Sequence, residues 1–209
     1  MMAMEPSSLG FCRGAVNDNR DNRARLLHAA TDLFARQGFH ATGMSDLEQA
    51  TGLGRSSLYH YFASKEALLV AIVQRCLGQL VVFGERLLEE ERDPETRLRR
   101  FSRAVVGGIA ERPSELRVCV HERHVFTGDH RHRVAGFYQE YERIWARILA
   151  AGHADGVFRN ADGVTVTAVM GMHHQAWSGA GQPGDPDRLA DGFCDLLLAG
   201  LREPPVRPL

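Results

Sequence analysis

Apolar residues recur at intervals of three and four along most of this chain, which is the spacing of an amphipathic helix. In the first such segment, Leu26, Ala30 and Leu33 fall on one side of a helix predicted over about 22–37. Gly38 follows this helix and is expected to end it in a left-handed cap conformation. Because no stretch shows the alternation of a strand, we predict an all-α fold of about nine helices.

Two short helical patterns joined by a tight turn occupy about 43–62. Gly52 lies in the turn, where glycine accepts a positive φ that most residues resist. The second pattern places Leu58 and Phe62 four residues apart, so both are expected to face inward. Thr42 is expected to cap the first of the two helices. Two short helices in this arrangement are typical of a helix-turn-helix motif.

The outward side of the second short helix is rich in hydrogen-bond donors. Its exposed residues are predicted to be Arg55, Ser56, Ser57, Tyr59 and His60. Long or hydroxylated donors suit both phosphate oxygens and base edges. A short helix with an apolar back and a donor-rich front fits the major groove of DNA.

A long helix is predicted over about 64–91, with Ser64 as its cap and Lys65 at its first position. It would measure roughly 40 Å at about 1.5 Å per residue, long enough to couple one end of the protein to the other. A cation at the N-terminus of a helix opposes the helix macrodipole. A phosphate beside Lys65 would offset that small cost.

The rest of the chain continues the helical pattern. Asp93 and Pro94 form a helix start, since Asp is a good cap and Pro is favoured in the first turn. Helices are predicted from Pro94 onward and at about 114–126, 131–151, 164–177 and 186–201. Residues 1–20 lack any period and are expected to be a disordered arm, while 204–209 are expected to be a frayed tail.

The composition is that of an ordinary globular protein, with 44% apolar and 24% charged residues among 209. The net charge of −1 means that any affinity for DNA must come from a local cluster of donors. Four widely separated cysteines without a CxxC pair argue against a disulfide framework or a zinc site. Because no apolar run reaches about 18 residues and no signal-peptide core is present, we predict a cytoplasmic protein without a membrane span.

The sequence over roughly 22–75 resembles the DNA-binding domain of the TetR (tetracycline-repressor-like) family. The resemblance rests on anchors whose spacing fits without a gap: Phe34, Gly38, Thr42, Gly52, Tyr59 and Phe62. Two positions depart from the family pattern. Gly43 stands where the family usually has Thr or Ser, and Gly54 stands where it usually has a Ser or Thr cap.

The resemblance implies a DNA-binding domain over 21–75 and an effector-binding and dimerisation domain over 76–203. It also implies a homodimer, formed through about 164–177 and 186–201, that binds a palindromic operator in double-stranded DNA and is released by a small effector. The expected base contacts are Ser45, Arg55, Ser56 and Ser57. The expected phosphate contacts are Thr42, Tyr59, His60, Tyr61 and Lys65. No cofactor is expected.

Residues 171–201 are similar to a TetR subgroup that includes acyl-CoA-responsive regulators, although Ser178 and Gly179 replace the aromatic residue and the Arg that members often carry there. This similarity implies a lipophilic effector. The candidate pocket residues are Phe83, Phe101, Phe137, Tyr141, Trp145, Met170, His174 and Trp177.

Two alternatives belong to other functional classes. The pair His121 and His124, with the further histidines His130, His132, His173 and His174, allows a metal-responsive regulator if the imidazoles converge. A helical enzyme is the second alternative, but the chain contains no GxSxG, HExxH or phosphate-loop motif. We therefore predict a DNA-binding regulator that is not an enzyme.

Overall fold

A computed structural model describes residues 12–159, 161–175 and 185–201. Over these residues the protein consists of nine α-helices and one short 3-10 helix without a β-strand, which confirms the predicted all-α class. The α-helices are α1 (Cys12–Gln37), α2 (Met44–Thr51), α3 (Arg55–Tyr61), α4 (Lys65–Glu90), α5 (Pro94–Glu111), α6 (Pro113–His121), α7 (Gly128–Ala154), α8 (Gly163–Gln175) and α9 (Pro186–Leu201), and the 3-10 helix is Arg123–Val125.

The chain divides into two compact units, with the boundary between Leu69 and Val70. The first unit contains α1, α2 and α3, and the second contains α5 to α9. Helix α4 begins in the first unit and continues in the second.

An apolar core holds the first unit together. Leu26 and Ala30 of α1, Leu47 of α2, Leu58 of α3 and Leu68 of α4 are completely buried. Burying one leucine side chain contributes about 1.5–3 kcal/mol. This core therefore sets the angle at which the two short helices meet α1.

In the second unit, α5 packs along α9 and α7. Phe101 of α5 and Trp145 of α7 are completely buried, and their rings meet edge to face with centroids 4.6 Å apart. Ion pairs border the contact with α9, from Arg99 to Asp195 at 2.6 Å and from Arg103 to Asp191 at 2.7 Å. Exposed pairs of this kind contribute about 0–1 kcal/mol each, so the apolar contact carries most of the stability.

Several predicted helix ends have the expected chemistry. Gly38 follows α1 with φ of 86° and donates its N–H to the Phe34 carbonyl. The Ser64 hydroxyl accepts the Ala67 N–H at 3.1 Å at the start of α4. The Asp93 carboxylate accepts the Thr96 N–H at 2.7 Å, with Pro94 as the first residue of α5. These ends depend on neighbouring residues alone, which is why the sequence predicts them.

The N-terminus corrects one prediction. Helix α1 begins at Cys12, so residues 12–20 are helical and the expected disordered arm is wrong for that part. Extending an existing helix avoids the unfavourable nucleation step, so a segment without an apolar stripe can continue it. Residues 1–11, the first part of the expected arm, and the expected tail at 204–209 lie outside the described residues.

Two further boundaries differ from the prediction. Helix α6 ends at His121, before the short 3-10 helix, instead of continuing to 126. Helix α7 begins at Gly128 and extends to Ala154, so it is longer at both ends than the expected 131–151.

By length and composition alone, α4 of the described chain is apolar enough to cross a membrane, with a mean hydropathy of 1.8. The core helix of a water-soluble protein passes the same test, and 39% of that apolar window is buried inside the protein. The finding is therefore weak support for a membrane span.

Candidate nucleic-acid interface

Helices α2 and α3 form a helix-turn-helix around Gly52. Gly52 adopts φ of 68° and ψ of 10°, and its N–H donates to the Glu48 carbonyl at 2.8 Å. The Thr51 hydroxyl donates to the Leu47 carbonyl at 2.6 Å and accepts the Leu53 N–H at 3.3 Å. Both ends of the turn are thus closed by hydrogen bonds, and the left-handed conformation explains why glycine stands at this position.

The back of α3 is anchored in the core. Leu58 is completely buried and Phe62 is 7% exposed. The Arg23 guanidinium lies over the Phe62 ring, 4.8 Å from its centroid. These contacts fix which side of α3 faces outward.

The front of α3 collects the donors predicted to contact DNA. Arg55, Ser56 and His60 are exposed, Tyr59 is 45% exposed, and Ser57 and Tyr61 are half-buried. Ser45, in the first turn of α2, is exposed as well. The surface formed by these residues is called the donor face below: Ser45, Arg55, Ser56, Ser57, Tyr59, His60 and Tyr61.

Arg55 remains available on the donor face. Its nearest acidic partner is Glu48, whose carboxylate lies 4.0 Å from the Arg55 Nε. The Arg55 side chain is 71% exposed, so this pair contributes little to stability. The guanidinium can therefore turn toward a base edge or a phosphate without losing a strong contact.

Lys65 has a structural role that its position in the sequence does not reveal. Its Nζ donates to the Phe39 and Thr42 carbonyls, each at 2.7 Å, and lies 4.2 Å from the centroid of the Phe39 ring. Lys65 thereby ties the start of α4 to the segment between α1 and α2. An ammonium carries three donors, so one N–H remains for a phosphate.

Thr42 corrects a prediction. The N-cap of α2 is Gly43, whose N–H donates to the Asp46 carboxylate at 2.8 Å. Thr42 is 1% exposed, and its hydroxyl donates to the Gly38 carbonyl at 2.8 Å. Because this side chain faces inward, it is not placed for the phosphate contact expected of it.

Arg25 is a second residue whose role sequence reasoning missed. Its guanidinium donates to the Thr51 carbonyl at 2.7 Å and to the Asn22 side chain at 3.0 Å. It therefore fastens α1 to the C-terminal end of α2. An arginine in a polar stretch of the sequence gives no signal that distinguishes this contact from exposure to solvent.

The second unit contains a cavity between α4, α5, α6, α7 and α8. Its volume is about 30 Å³, which is room for about one water molecule. The lining is mostly apolar, with polar side chains at one side: Cys76, Leu77, Leu80, Val105, Gly108, Ile109, Arg112, Glu115, Leu116, Tyr141 and His174.

Of the predicted pocket residues that the structure describes, Tyr141 and His174 line this cavity. Phe101 and Trp145 are completely buried in the core instead, and Phe83 stacks on Phe101 with centroids 6.4 Å apart. Phe101 and Trp145 are therefore corrected to core positions, whereas Phe83 is half-buried and does not line the cavity. Phe137 and Met170 are half-buried away from the cavity lining, and Trp177 lies outside the described residues.

The polar groups of the cavity are incompletely paired. The Tyr141 hydroxyl is buried and has no hydrogen-bond partner among the described residues, and burial raises its pKa above the ordinary value. The Glu115 carboxylate pairs with Arg75 at 2.6 Å through one oxygen, while the other is buried 3.6 Å from Arg112. A buried unpaired hydroxyl is what a ligand carbonyl or hydroxyl would satisfy.

The histidines do not support the metal alternative. In the part of the chain that the structure describes, no three His, Cys, Asp or Glu side chains lie close enough together to hold a metal ion. The side chain of His121 is outside that part. His173 has a packing role, because it is completely buried, with Nδ1 2.8 Å from the Val169 carbonyl and Nε2 2.7 Å from the Ser102 hydroxyl. Burial lowers its pKa to about 4.

Two family models match the chain. The model described as bacterial regulatory proteins, tetR family, matches residues 26–72, which include both helices of the motif. The model described as tetracyclin repressor-like, C-terminal domain, matches residues 91–201.

Individual proteins agree with these models. The HTH-type transcriptional repressor KstR2 of Rhodococcus jostii is 27% identical over 188 residues, which cover 87% of this chain and 92% of that protein. The TetR family regulator PfmR of Thermus thermophilus is 32% identical with a TM-score of 0.77, covering 86% of this chain and all of that one. FadR of Bacillus subtilis in complex with stearoyl-CoA has the same fold, with 20% identity, a TM-score of 0.73 and coverage of 85% and 98%.

Proposed function

This chain belongs to the TetR family of bacterial transcriptional regulators, and we propose that it is a repressor that binds a palindromic operator as a homodimer. The observation that carries this proposal is the outward position of the donor face, while Leu58 and Phe62 anchor the opposite side of α3 in the core. The similarity to the repressor KstR2 supports repression as the direction of regulation. A two-fold operator follows from the dimer, because each subunit places one recognition helix in a major groove.

The donor face divides into two proposed roles. Arg55, Ser56, Ser57 and Ser45 contact base edges, since they stand at the N-terminal ends of α3 and α2. Tyr59, His60, Tyr61 and Lys65 hold phosphates. A phosphate contact by Thr42 is not part of the proposal.

The homodimer is proposed to form through α8 and α9, within the predicted segments 164–177 and 186–201. Val164 of α8 is 77% exposed and Leu196 of α9 is 70% exposed. Large apolar side chains that stand this far out of a subunit are stabilised when a second copy covers them.

A lipophilic effector, such as an acyl-CoA thioester, is proposed to bind the cavity of the second unit. Leu77, Val105 and Leu116 supply apolar walls and Tyr141 supplies a free hydroxyl, and the FadR complex with stearoyl-CoA supports this class. A cavity of about 30 Å³ cannot hold an acyl chain. The effector must therefore select a conformer with a wider cavity, and it releases DNA only if that conformer binds the operator less well.

The relatives described above are named as transcriptional regulators, which agrees with a protein that acts by binding and not by catalysis. The same proposal places the protein in the cytoplasm, where it has access to DNA.

The test is to sequence the genomic fragments retained by the purified protein at near-physiological salt. A palindrome enriched by the wild type and lost with Arg55→Ala would support the proposal. Arg86→Ala is the matched control, because Arg86 is an exposed arginine of the second unit whose ion pair within the described chain is with Glu90 on its own helix. Fragments without a common sequence, or equal enrichment by Arg55→Ala, would contradict it.

A further inference from the structure

The cavity of the second unit has a charged side, which is called the polar corner below: Arg75, Arg112 and Glu115. Glu115 of α6 lines the cavity and is 8% exposed, and its Oε1 accepts a hydrogen bond from Nη2 of Arg75 of α4 at 2.6 Å. Arg112, just before α6, also lines the cavity, and its Nη1 donates one hydrogen to the Gln79 side chain. The polar corner therefore combines a nearly enclosed carboxylate with cationic donors.

A gap separates the second oxygen of Glu115 from the Arg112 guanidinium. Oε2 of Glu115 is buried, has no hydrogen-bond partner among the described residues, and lies 3.6 Å from Nη1 of Arg112. This distance is too long for a direct hydrogen bond, but it allows one further oxygen to lie about 2.8 Å from both atoms. The gap therefore fits a group that accepts an N–H from Arg112 and donates a hydrogen to Glu115 at the same time.

A hydroxyl is the simplest group that both accepts and donates a hydrogen bond. A ligand carboxylate would accept from Arg112, but it has no hydrogen for Glu115 and would stand beside it as a second anion. An ammonium would donate to Glu115, but it has no lone pair for Arg112. Water has both roles as well, yet the other walls of the cavity, such as Leu77, Val105 and Leu116, are apolar. These walls favour a hydroxyl that carries an apolar body.

We propose that the ligand of this cavity is a lipophilic alcohol, whose hydroxyl bridges Arg112 and Glu115 while its apolar body contacts the aliphatic walls. Tyr141 of α7 offers a second buried hydroxyl without a partner among the described residues, which a further carbonyl or hydroxyl of the ligand would satisfy. An acyl thioester belongs to this class when its acyl chain carries a hydroxyl. The proposal narrows the class of the lipophilic effector, so in this respect it rests on the function proposed above, including the wider conformer of the cavity.

The polar corner connects the ligand to the helix that continues from the DNA-binding unit. Glu115 holds Arg75 of α4 through Oε1, and the ligand hydroxyl binds Oε2 of the same carboxylate. Binding therefore selects conformers in which Glu115 keeps both contacts, and the equilibrium between DNA-bound and released conformers shifts accordingly. This consequence rests on the proposed function, whereas the preference of the cavity for an alcohol can be measured without DNA.

The first measurement is titration calorimetry of the full-length protein with four probes of equal carbon number: 1-octanol, cyclooctanol, octanoate and octylammonium. We expect an alcohol to bind about tenfold more tightly than either ion, because only the hydroxyl satisfies both sides of the gap. The tighter of the two alcohols shows whether the apolar body is a chain or a ring. Failure of both alcohols to bind, or an ion that binds as tightly, would overturn the proposal.

Glu115→Gln tests the residue that sets this preference. Arg75 can only donate, so the amide oxygen should face Arg75 and the amide NH₂ should replace Oε2. The gap then lies between two donors, and the preference should reverse from the alcohol to octanoate. Glu85→Gln is the matched control, because Glu85 also pairs with an arginine, Arg147 at 2.6 Å, but is not among the residues that line the cavity. An alcohol preference that survives Glu115→Gln would overturn the proposal.

Arg112→Met is a second variant, which decides the question if Glu115→Gln does not fold. The Arg112 side chain is 39% exposed, and methionine keeps its apolar stem without a donor. We expect the Kd of the preferred alcohol to rise about tenfold. An unchanged Kd would overturn the bridging role of the hydroxyl.

The second measurement compares operator Kd with and without a saturating concentration of the preferred alcohol. We expect a change of about tenfold, within the usual range of allosteric coupling. An unchanged operator Kd in protein shown by calorimetry to bind the alcohol would overturn the regulatory part. If the protein without alcohol binds no operator, the proposed function fails, while the calorimetry still decides the alcohol site.

Discussion

The buried His173 predicts a specific loss of stability in mild acid. The ring of His173 is completely enclosed and its Nδ1–H donates to the Val169 carbonyl, so the neutral form accepts the Ser102 hydroxyl at Nε2. Burial lowers its pKa from 6.5 to about 4. Protonation is therefore easier in the unfolded chain than in the folded protein.

The direction and the size of the change in stability with pH follow from this difference in pKa. Well above pH 6.5, His173 is neutral in both the unfolded and the folded state and does not change the free energy of unfolding. Below pH 6.5 the unfolded chain takes up the proton first, so the free energy of unfolding falls as the pH is lowered, until the pKa of the folded state is passed. Each pKa unit is worth about 1.36 kcal/mol, so the full effect is about 3 kcal/mol. Between pH 7.5 and 5 the expected loss is about 2 kcal/mol.

The assay is urea unfolding of the wild type and His173→Asn at a series of pH values between 7.5 and 5. Asparagine keeps a donor near the Val169 carbonyl but does not titrate, so the variant is less stable at neutral pH yet should lose about 2 kcal/mol less on acidification. His28→Asn is the control for the same replacement at an exposed histidine, since the His28 side chain is 78% exposed. Parallel curves for the wild type and His173→Asn would refute the reasoning.

Three further predictions concern other parts of the chain. Gly84→Ala should lower the free energy of unfolding, measured in urea, by about 1–3 kcal/mol, because the added Cβ would overlap Ile144 Cγ2 and crowd Phe101. The control is Gly78→Ala on the same helix, where no described atom lies within 4 Å of the added Cβ; it should raise the free energy of unfolding by up to about 1 kcal/mol. Equal effects of the two substitutions would contradict this reasoning. Arg55→Ala should weaken operator binding by about 1–3 kcal/mol and relax preference at one base position per half-site, measured by binding to a library of operator variants; uniform weakening would reduce Arg55 to a phosphate contact. Lys65→Met should reduce the slope of log K for operator binding against log salt concentration by about one per subunit. It should also lower the free energy of unfolding by about 2 kcal/mol, since two carbonyls lose a charged donor. An unchanged salt slope would remove Lys65 from the interface with DNA.

The helix-turn-helix shows how far the sequence alone leads. The period of Leu26 and Ala30, the glycine at position 52 and the pair Leu58 and Phe62 predict the helices, the turn and the outward side of α3. Each of these features depends on residues within one or two helical turns. Because capping, left-handed turns and amphipathic periodicity are local, they can be predicted without knowing which helices pack together.

Only the tertiary structure decided which side chains meet across helices. Thr42 turns inward because Gly43 takes the cap, Lys65 reaches two carbonyls more than twenty residues away, and Phe101 and Trp145 fill the core where a pocket was expected. Spacing along the chain specifies position on a helix face, but the neighbour on that face is set by close packing of the whole unit.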